Sequence, residues 1–169
     1  MSQAIFQRMS VRHFLETPVE EDKIEQLLRA AMQAPSAGNQ QPWEFWVIRE
    51  PAVQKALVKT SRWTASCARA PLLFALACDS TRLKFPQDWQ MDMSAATENL
   101  LLQAVDLGLG CVWMGVAPVP SRMAVVRETL GLEDKYWPFC LIACGYPKKT
   151  RNWRSYYKPT RVHFVGTGC

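Results

Sequence analysis

The segment PLLFALACD, residues 71–79, restricts the fold most, because it is an unbroken apolar run of strand length. A run of this kind is typical of a central strand that is buried on both faces of a sheet. The segment PFCLIACG, residues 138–145, has the same character and predicts another strong strand near the end of the chain. We therefore expect a fold built around a buried sheet.

Two more strands are predicted from shorter segments. WEFWVIR, residues 43–49, alternates with a period of two, and GCVWMGV, residues 110–116, is also strand-like. A helix is expected between Pro18 and Pro35, because acidic residues occupy its first turn and the residue before a proline avoids the helical region. The buried stripe predicted for this helix consists of Ile24, Leu27, Leu28 and Ala31.

Three further helices complete the pattern. One begins at Pro51 and continues through Leu57, and one runs from a capping Ser121 through Leu130. The longest covers residues 92–109 and ends at Gly108 and Gly110. The predicted order is therefore four helix–strand pairs followed by a charged tail.

The length and composition fit one globular domain. The chain has 169 residues, of which 49% are hydrophobic. No apolar run is long enough to span a bilayer, and the first ten residues lack the apolar core of a secretory leader. We expect a soluble, cytoplasmic protein.

The six cysteines do not form a metal or disulfide pattern. No C-x-x-C pair occurs, and four of the cysteines lie inside apolar runs. The two histidines, His13 and His163, belong to no ligand motif. A buried free thiol packs as a small hydrophobe, so we expect core packing for these cysteines and no metal site, except that the terminal Cys169 is expected to be exposed.

The net charge of +5 is unevenly distributed. The tail contains Lys148, Lys149, Arg151, Arg154, Lys158 and Arg161. A basic tail could bind nucleic acid, solvate a surface or hold one phosphate monoester, and composition alone does not choose among these. After Gly145 the apolar density is too low for independent folding, which is typical of a tail that packs across a partner chain.

Two motifs contain residue types that suit the binding of a ligand. In RMSVR, an extended backbone places Arg8, Ser10 and Arg12 on one side and Met9 and Val11 on the other, which concentrates positive charge in one place. The loop APSAGNQQPW, residues 34–43, contains no aliphatic side chain larger than alanine. Two arginines and a hydroxyl suit a phosphate or the acceptor-rich edge of a flat ring.

Together these motifs resemble the nitroreductase family of FMN enzymes, whose signature runs R-x-S-x-R and then A-P-S-x-x-N-x-Q-P-W. The later segments GLGCVWMG and GYP also look like family features, so the resemblance covers almost the whole chain. It implies an α+β fold with a central, mostly antiparallel sheet flanked by helices. It also implies one domain over residues 1–169, an interleaved homodimer, and a tail that crosses to the partner from about residue 147.

The resemblance implies a role for each cofactor-binding residue. Arg8 and Ser10 would hold the FMN phosphate, and Arg12 would lie nearer the pyrimidine edge. The loop around Pro35 and Asn39 would lie against the ring from the other subunit. The complete predicted set is Arg8, Met9, Ser10, Arg12, Pro35, Ser36, Ala37, Asn39, Gln41, Trp113, Met114, Gly115 and Lys158.

Some positions stay open at this point. Lys158 fits the tail phosphate contact best, and its competitors are Arg151, Arg154 and Arg161. Phe85 and Trp89, in the long loop before residue 92, are candidate substrate contacts that would cover the ring. Trp113 and Met114 fit core packing as well as cofactor contact, whereas Gly115 suits close backbone approach.

The implied activity is electron transfer from NAD(P)H to a nitroaromatic, a quinone or a similar acceptor by a ping-pong mechanism. FMN would perform the redox chemistry, so no general acid or nucleophile is predicted. The alternatives are a flavin store or sensor without turnover, a flavin-fragmenting or dehalogenating relative, and a nucleic-acid-binding module. The last has no stacking platform or groove-reading motif, so no nucleic-acid partner is expected.

Overall fold

Four antiparallel strands form one sheet in the computed structural model, which describes residues 3–149 and 155–166. The strands are β1 (Trp43–Ile48), β2 (Leu72–Asp79), β3 (Gly110–Gly115) and β4 (Tyr136–Gly145), in the spatial order β1-β2-β4-β3. All three neighbouring pairs are antiparallel. The two apolar runs thus form the two inner strands, and every residue of β2 is buried, as predicted.

Helices cover both faces of the sheet. They are α1 (Gln3–Gln7), α2 (Glu21–Met32), α3 (Pro51–Leu57), α4 (Trp89–Asp106) and α5 (Pro120–Leu130). Alternate side chains of β2 enter two separate cores: Leu72 and Phe74 pack with α2 and α4, and Leu73 and Ala75 pack with α3 and α5. The predicted α+β architecture is confirmed.

Several helix ends differ from the sequence prediction. Helix α4 begins at Trp89 and ends at Asp106, three residues earlier than expected at each end. Gly108 adopts a φ of 73° beyond its last turn. The predicted Ser121 cap is wrong, because Pro120 is already the first helical residue and Val119 precedes it without a side-chain cap. The short helix α1 was not predicted.

The N-terminal segment that follows α1 lies against β3. The Val11 N–H donates to the Cys111 carbonyl at 2.9 Å, and Ser10 forms a parallel bridge with Cys111. A Cβ at Gly110 would lie 2.5 Å from Val11 Cγ2, so the glycine permits this close approach. Further on, the Leu15 N–H donates to the Tyr146 carbonyl. The RMSVR motif is thereby fixed to the sheet.

The described part of the tail, residues 155–166, is exposed throughout. Apart from one short turn at Pro159–Arg161 it is irregular. Its large apolar side chains are exposed as well: Tyr156 is 80% exposed and Phe164 is 92% exposed. The segment therefore buries little of its apolar surface against its own chain.

The described cysteines are free and buried, which confirms their assignment to the core: Cys67, Cys78, Cys111, Cys140 and Cys144. Cys169 lies outside the residues that the structure describes. A hydrogen bond with Cys144, together with burial, raises the pKa of the Cys111 thiol well above its ordinary value. Within the described ranges, no helix is long and apolar enough to cross a membrane. The cytoplasmic location stays a prediction.

Candidate cofactor-binding site

A cleft of about 270 Å³ opens at the end of β3. It is lined by Arg12, Ser61, Trp63, Val112, Trp113, Met114, Gly115 and Arg122. Four predicted cofactor-binding residues therefore meet in one place: Arg12, Trp113, Met114 and Gly115. Arg12 and Gly115 are exposed, Met114 is buried, and Trp113 is half-buried against Phe139. The cleft combines an apolar wall with positive charge.

Gly115 leaves space that no other part of the described chain uses. A Cβ added there would meet nothing within 4 Å, in contrast to Gly110 at the other end of the same strand. The Gly115 carbonyl accepts a hydrogen bond from Arg122 Nη1 at 3.2 Å, which helps to fix the orientation of this peptide. The absence of a side chain thus exposes an oriented backbone to the cleft, as a flat ligand would require.

A second cleft of about 490 Å³ shares Arg12 with the first. Its lining is Met9, Ser10, Val11, Arg12, His13, Lys148 and Lys149. The Lys148 N–H donates to the His13 carbonyl at 3.0 Å, which fixes the start of the tail beside the motif. Hydroxyl, guanidinium and ammonium groups along this cleft suit a phosphate ester.

Arg8 has a different contact. Its Nε lies 3.2 Å from Glu98 Oε1 on α4, and both side chains are more than one-third exposed. The carboxylate and a phosphate would be alternative or shared partners of this guanidinium. The structure thus places Ser10 and Arg12 on the cleft walls, with Arg8 paired to the neighbouring helix.

The APSAGNQQPW loop adopts a strained conformation. Gly38, Asn39 and Gln41 have φ values of 53°, 53° and 45°. The Gln41 N–H donates to Ser36 Oγ at 3.0 Å, and Gln41 Nε2 donates to Asn39 Oδ1 at 2.9 Å. Non-glycine residues with positive φ cost about 1–3 kcal/mol each and occur preferentially at binding sites.

Two residues outside the predicted set hold this loop in place. Gln40 is buried, and its Nε2 donates to Asp92 Oδ2 at 2.6 Å. Its Oε1 accepts from the Lys84 and Phe85 N–H groups, each at 2.9 Å. Asp92, also buried, accepts a further bond from the Ala37 N–H at 2.9 Å. Sequence reasoning placed Asp92 only at a helix start, although a carboxylate within a wide apolar helix face was a usable signal.

Phe85 and Trp89 occupy different environments. A Cβ at Gly38 would lie 2.4 Å from Phe85 Cε2, so the Phe85 ring packs directly on the loop. The Trp89 ring makes edge contacts with Trp137 and Phe139 at centroid distances of 5.6 and 5.9 Å. Trp89 thus packs within its own chain, whereas Phe85, 42% exposed, accompanies the loop.

The loop residues do not meet the other predicted residues within this chain. The two clefts are lined by none of the predicted loop positions Pro35, Ser36, Ala37, Asn39 and Gln41. Lys158 lies in the exposed tail, and its competitors Arg151 and Arg154 lie outside the described residues. Within one chain, the two clefts therefore bring together only part of the predicted set.

The fold and clefts define an α+β protein with a positively charged, partly apolar site at a strand end. The Nitroreductase family model matches residues 5–89 and 67–146, which together span most of the chain. The chain belongs to the nitroreductase family.

Individual relatives support this assignment. A protein of Archaeoglobus fulgidus, provisionally named an NADH dehydrogenase/NAD(P)H nitroreductase, is 37% identical over 163 residues, covering 94% of each chain. A crystal structure from Clostridium acetobutylicum, provisionally named an NADH oxidase, has a TM-score of 0.93 and 41% identity, covering 97% of this chain and 99% of that one. A provisionally named nitroreductase of Desulfovibrio desulfuricans, solved in complex with FMN, has a TM-score of 0.86 and 26% identity, covering 98% of this chain and 95% of that one.

Proposed function

We propose that this protein is an FMN-dependent oxidoreductase that passes electrons from NAD(P)H to electron-poor acceptors such as nitroaromatics or quinones. The observation that carries the proposal is the open, oriented backbone at Gly115 in a cleft that Arg12 also lines. A flat ring fits against such a backbone, and the second cleft suits its phosphate ester. The FMN complex of the Desulfovibrio relative supports the same cofactor.

The proposed site is completed by a second copy of the chain. The strained Pro35–Gln41 loop lines neither cleft of its own chain, so a partner loop is the natural source of the missing wall. The exposed apolar side chains of the tail, including Tyr156 and Phe164, support a tail that packs on the partner. In this homodimer, each chain is one domain with a crossing tail, and Lys158 contacts the phosphate.

FMN, when bound, supplies the two-electron chemistry. The contribution of the protein is position and charge. Arg12 stabilises negative charge on the pyrimidine edge, and Ser10 binds the phosphate. The donor and the acceptor use one cleft in turn, which gives ping-pong kinetics.

The visible spectrum of the purified protein tests the cofactor. We expect a yellow dimer whose released chromophore is FMN. NADH or NADPH should bleach it without oxygen, and a quinone or nitroaromatic should restore the colour. Initial rates at several fixed acceptor concentrations should give parallel double-reciprocal lines.

The rival functions predict other results. A store or sensor would bind flavin but resist bleaching, and a flavin-fragmenting enzyme would lose the chromophore irreversibly. A nucleic-acid-binding module would show salt-sensitive binding of DNA or RNA. A colourless dimer that refuses added FMN would refute the proposal.

A further inference from the structure

The turn from Ser61 to Thr64 is rigidly bonded at one wall of the Gly115 cleft. Thr64 is fully buried, and the single proton of its Oγ1 can be donated to the carbonyl of Val58 or of Ser61, which lie at 2.9 and 2.6 Å. Its Oγ1 also accepts from the Ser61 N–H at 3.0 Å, and Ser61 Oγ accepts from the Trp63 N–H at 3.2 Å. Because these bonds fix the backbone, the side chain of the intervening Trp63 is presented from a defined position.

Trp63 is unusual because it is both large and exposed. Its side chain is 64% exposed although tryptophan is usually well buried. The Arg62 guanidinium lies over the indole ring, with its central carbon 4.5 Å from the ring centroid. Trp63 contributes to the same cleft as Gly115, so the exposed indole is part of the candidate site rather than an isolated surface residue.

The charges around the cleft share one sign. Arg12 and Arg122 line it, Arg62 contacts Trp63, and none of the described residues that line it is acidic. An aromatic wall of this kind attracts flat rings through apolar contact and offset stacking. The surrounding guanidinium groups favour a ligand that also carries a negative charge.

We propose that Trp63, with the Arg62 guanidinium over its ring, forms the acceptor-binding wall of the cleft, and that the preferred acceptors are flat, electron-poor aromatic compounds with an anionic substituent. The acceptor ring contacts Trp63, and its carboxylate or sulfonate interacts with Arg62. This inference rests on the proposed function and specifies its substrate class. Neither residue belongs to the motifs that indicate the cofactor.

The test compares nitrobenzene with 4-nitrobenzoate as acceptors for the flavin-loaded dimer. We expect the wild-type protein to have the lower KM for 4-nitrobenzoate. Trp63→Ala should raise KM for both compounds about tenfold, and Trp63→Phe should restore most of the binding. Arg62→Gln should raise KM about threefold for 4-nitrobenzoate only, and added salt should reduce this difference.

Arg69→Gln is the matched control, because Arg69 is an exposed arginine of the same segment that lines a different cleft. It should leave both KM values unchanged. The flavin dissociation constant should also stay unchanged in the Trp63 and Arg62 variants.

Other outcomes separate this inference from the proposed function. Unchanged KM values in Trp63→Ala, or a weakened flavin complex, would overturn the role of Trp63 in acceptor binding. Equal KM changes for both acceptors in Arg62→Gln would overturn the preference for an anion. Failure of the wild-type protein to bind flavin or to be bleached would instead contradict the proposed function itself.

Discussion

Gly110 and Gly115 lie at opposite ends of β3, and the absence of a side chain has a different structural explanation at each position. At Gly110 a side chain would collide with Val11, so the reason lies within the chain. At Gly115 a Cβ would meet no atom of the described chain, so stability does not explain the residue there. The proposed contact with the flavin ring would supply a reason for glycine at this position.

Gly115→Ala should fold normally but bind flavin poorly. The added methyl group would enter the space proposed for the ring, so we expect at least a tenfold loss of FMN affinity with little change in Tm. Fluorescence titration and thermal unfolding of the apoprotein measure the two effects. In the companion variant Gly110→Ala, the clash with Val11 should destabilise the fold by about 1–3 kcal/mol. Equal FMN affinity in Gly115→Ala and the wild type would contradict this interpretation.

Asp92→Asn should loosen the Pro35–Gln41 loop. The carboxylate accepts from the Ala37 N–H and from Gln40 Nε2, whereas an asparagine amide would turn a donor towards one of them. We expect a loss of about 1–3 kcal/mol in unfolding free energy and weaker flavin binding. Urea unfolding provides the measurement, and Asp106→Asn, at an exposed position of the same helix, is the control. A stability loss no larger than that of the control would argue against the anchoring role.

At the scale of elements, the order of helices and strands could be predicted because each element has its own periodicity. The unbroken run of β2 identified an inner strand, and the stripe of Ile24, Leu27, Leu28 and Ala31 identified the packed face of α2, although Leu28 is only half-buried. Helix α1 was missed because five residues contain too little periodicity. Strand order and register were not predictable, since they depend on contacts between distant segments.

The candidate site was predictable only in part, because some of its contacts join segments that are distant in sequence. The motif residues were found because their types and spacing are specific. Gln40 and Asp92 were missed because their contact joins residues far apart in sequence, and the carboxylate on the apolar face of α4 does not by itself indicate its partner. Trp63 was missed because an aromatic residue in a short turn has no signature of its own.

Lys158 offers a test of the tail. We expect Lys158→Ala to weaken FMN binding about fivefold but to leave riboflavin binding unchanged, because only FMN carries the phosphate. Equilibrium titration with both flavins measures this difference. Lys55→Ala, at an exposed position of α3, should affect neither flavin. An effect of Arg161→Ala in place of Lys158→Ala would assign the contact to the other tail residue.

For the whole molecule, the buried thiols affect stability at high pH. Burial raises the pKa of the Cys67 and Cys140 thiols from 9.0 to about 12. The pKa of the Cys78 thiol is also raised to about 12, mainly by burial and to a smaller extent by nearby carboxylates. Because the unfolded chain releases these protons at lower pH than the folded chain, the stabilisation is complete below about pH 9 and is lost as the pH rises towards 12.

Urea unfolding between pH 8 and 11 should therefore show a falling free energy of unfolding. Cys67→Ala should show a shallower fall than the wild type, since one of the shifted thiols is absent. At pH 8 these three thiols should react with a thiol reagent only after unfolding, because about one in 10⁴ is ionised in the folded state. Identical pH slopes for the two proteins would contradict the assignment.

The separation of the Pro35–Gln41 loop from the two clefts has a genetic consequence for the proposed dimer. A protein damaged at Ser10 and a protein damaged at Asn39 would each be inactive alone, since every active centre would contain one defect. When the two are mixed and exchange subunits, a hybrid collects both defects in one centre and leaves the other intact. Random exchange should then recover about a quarter of the normal number of working centres, a complementation that a self-sufficient monomer would never show.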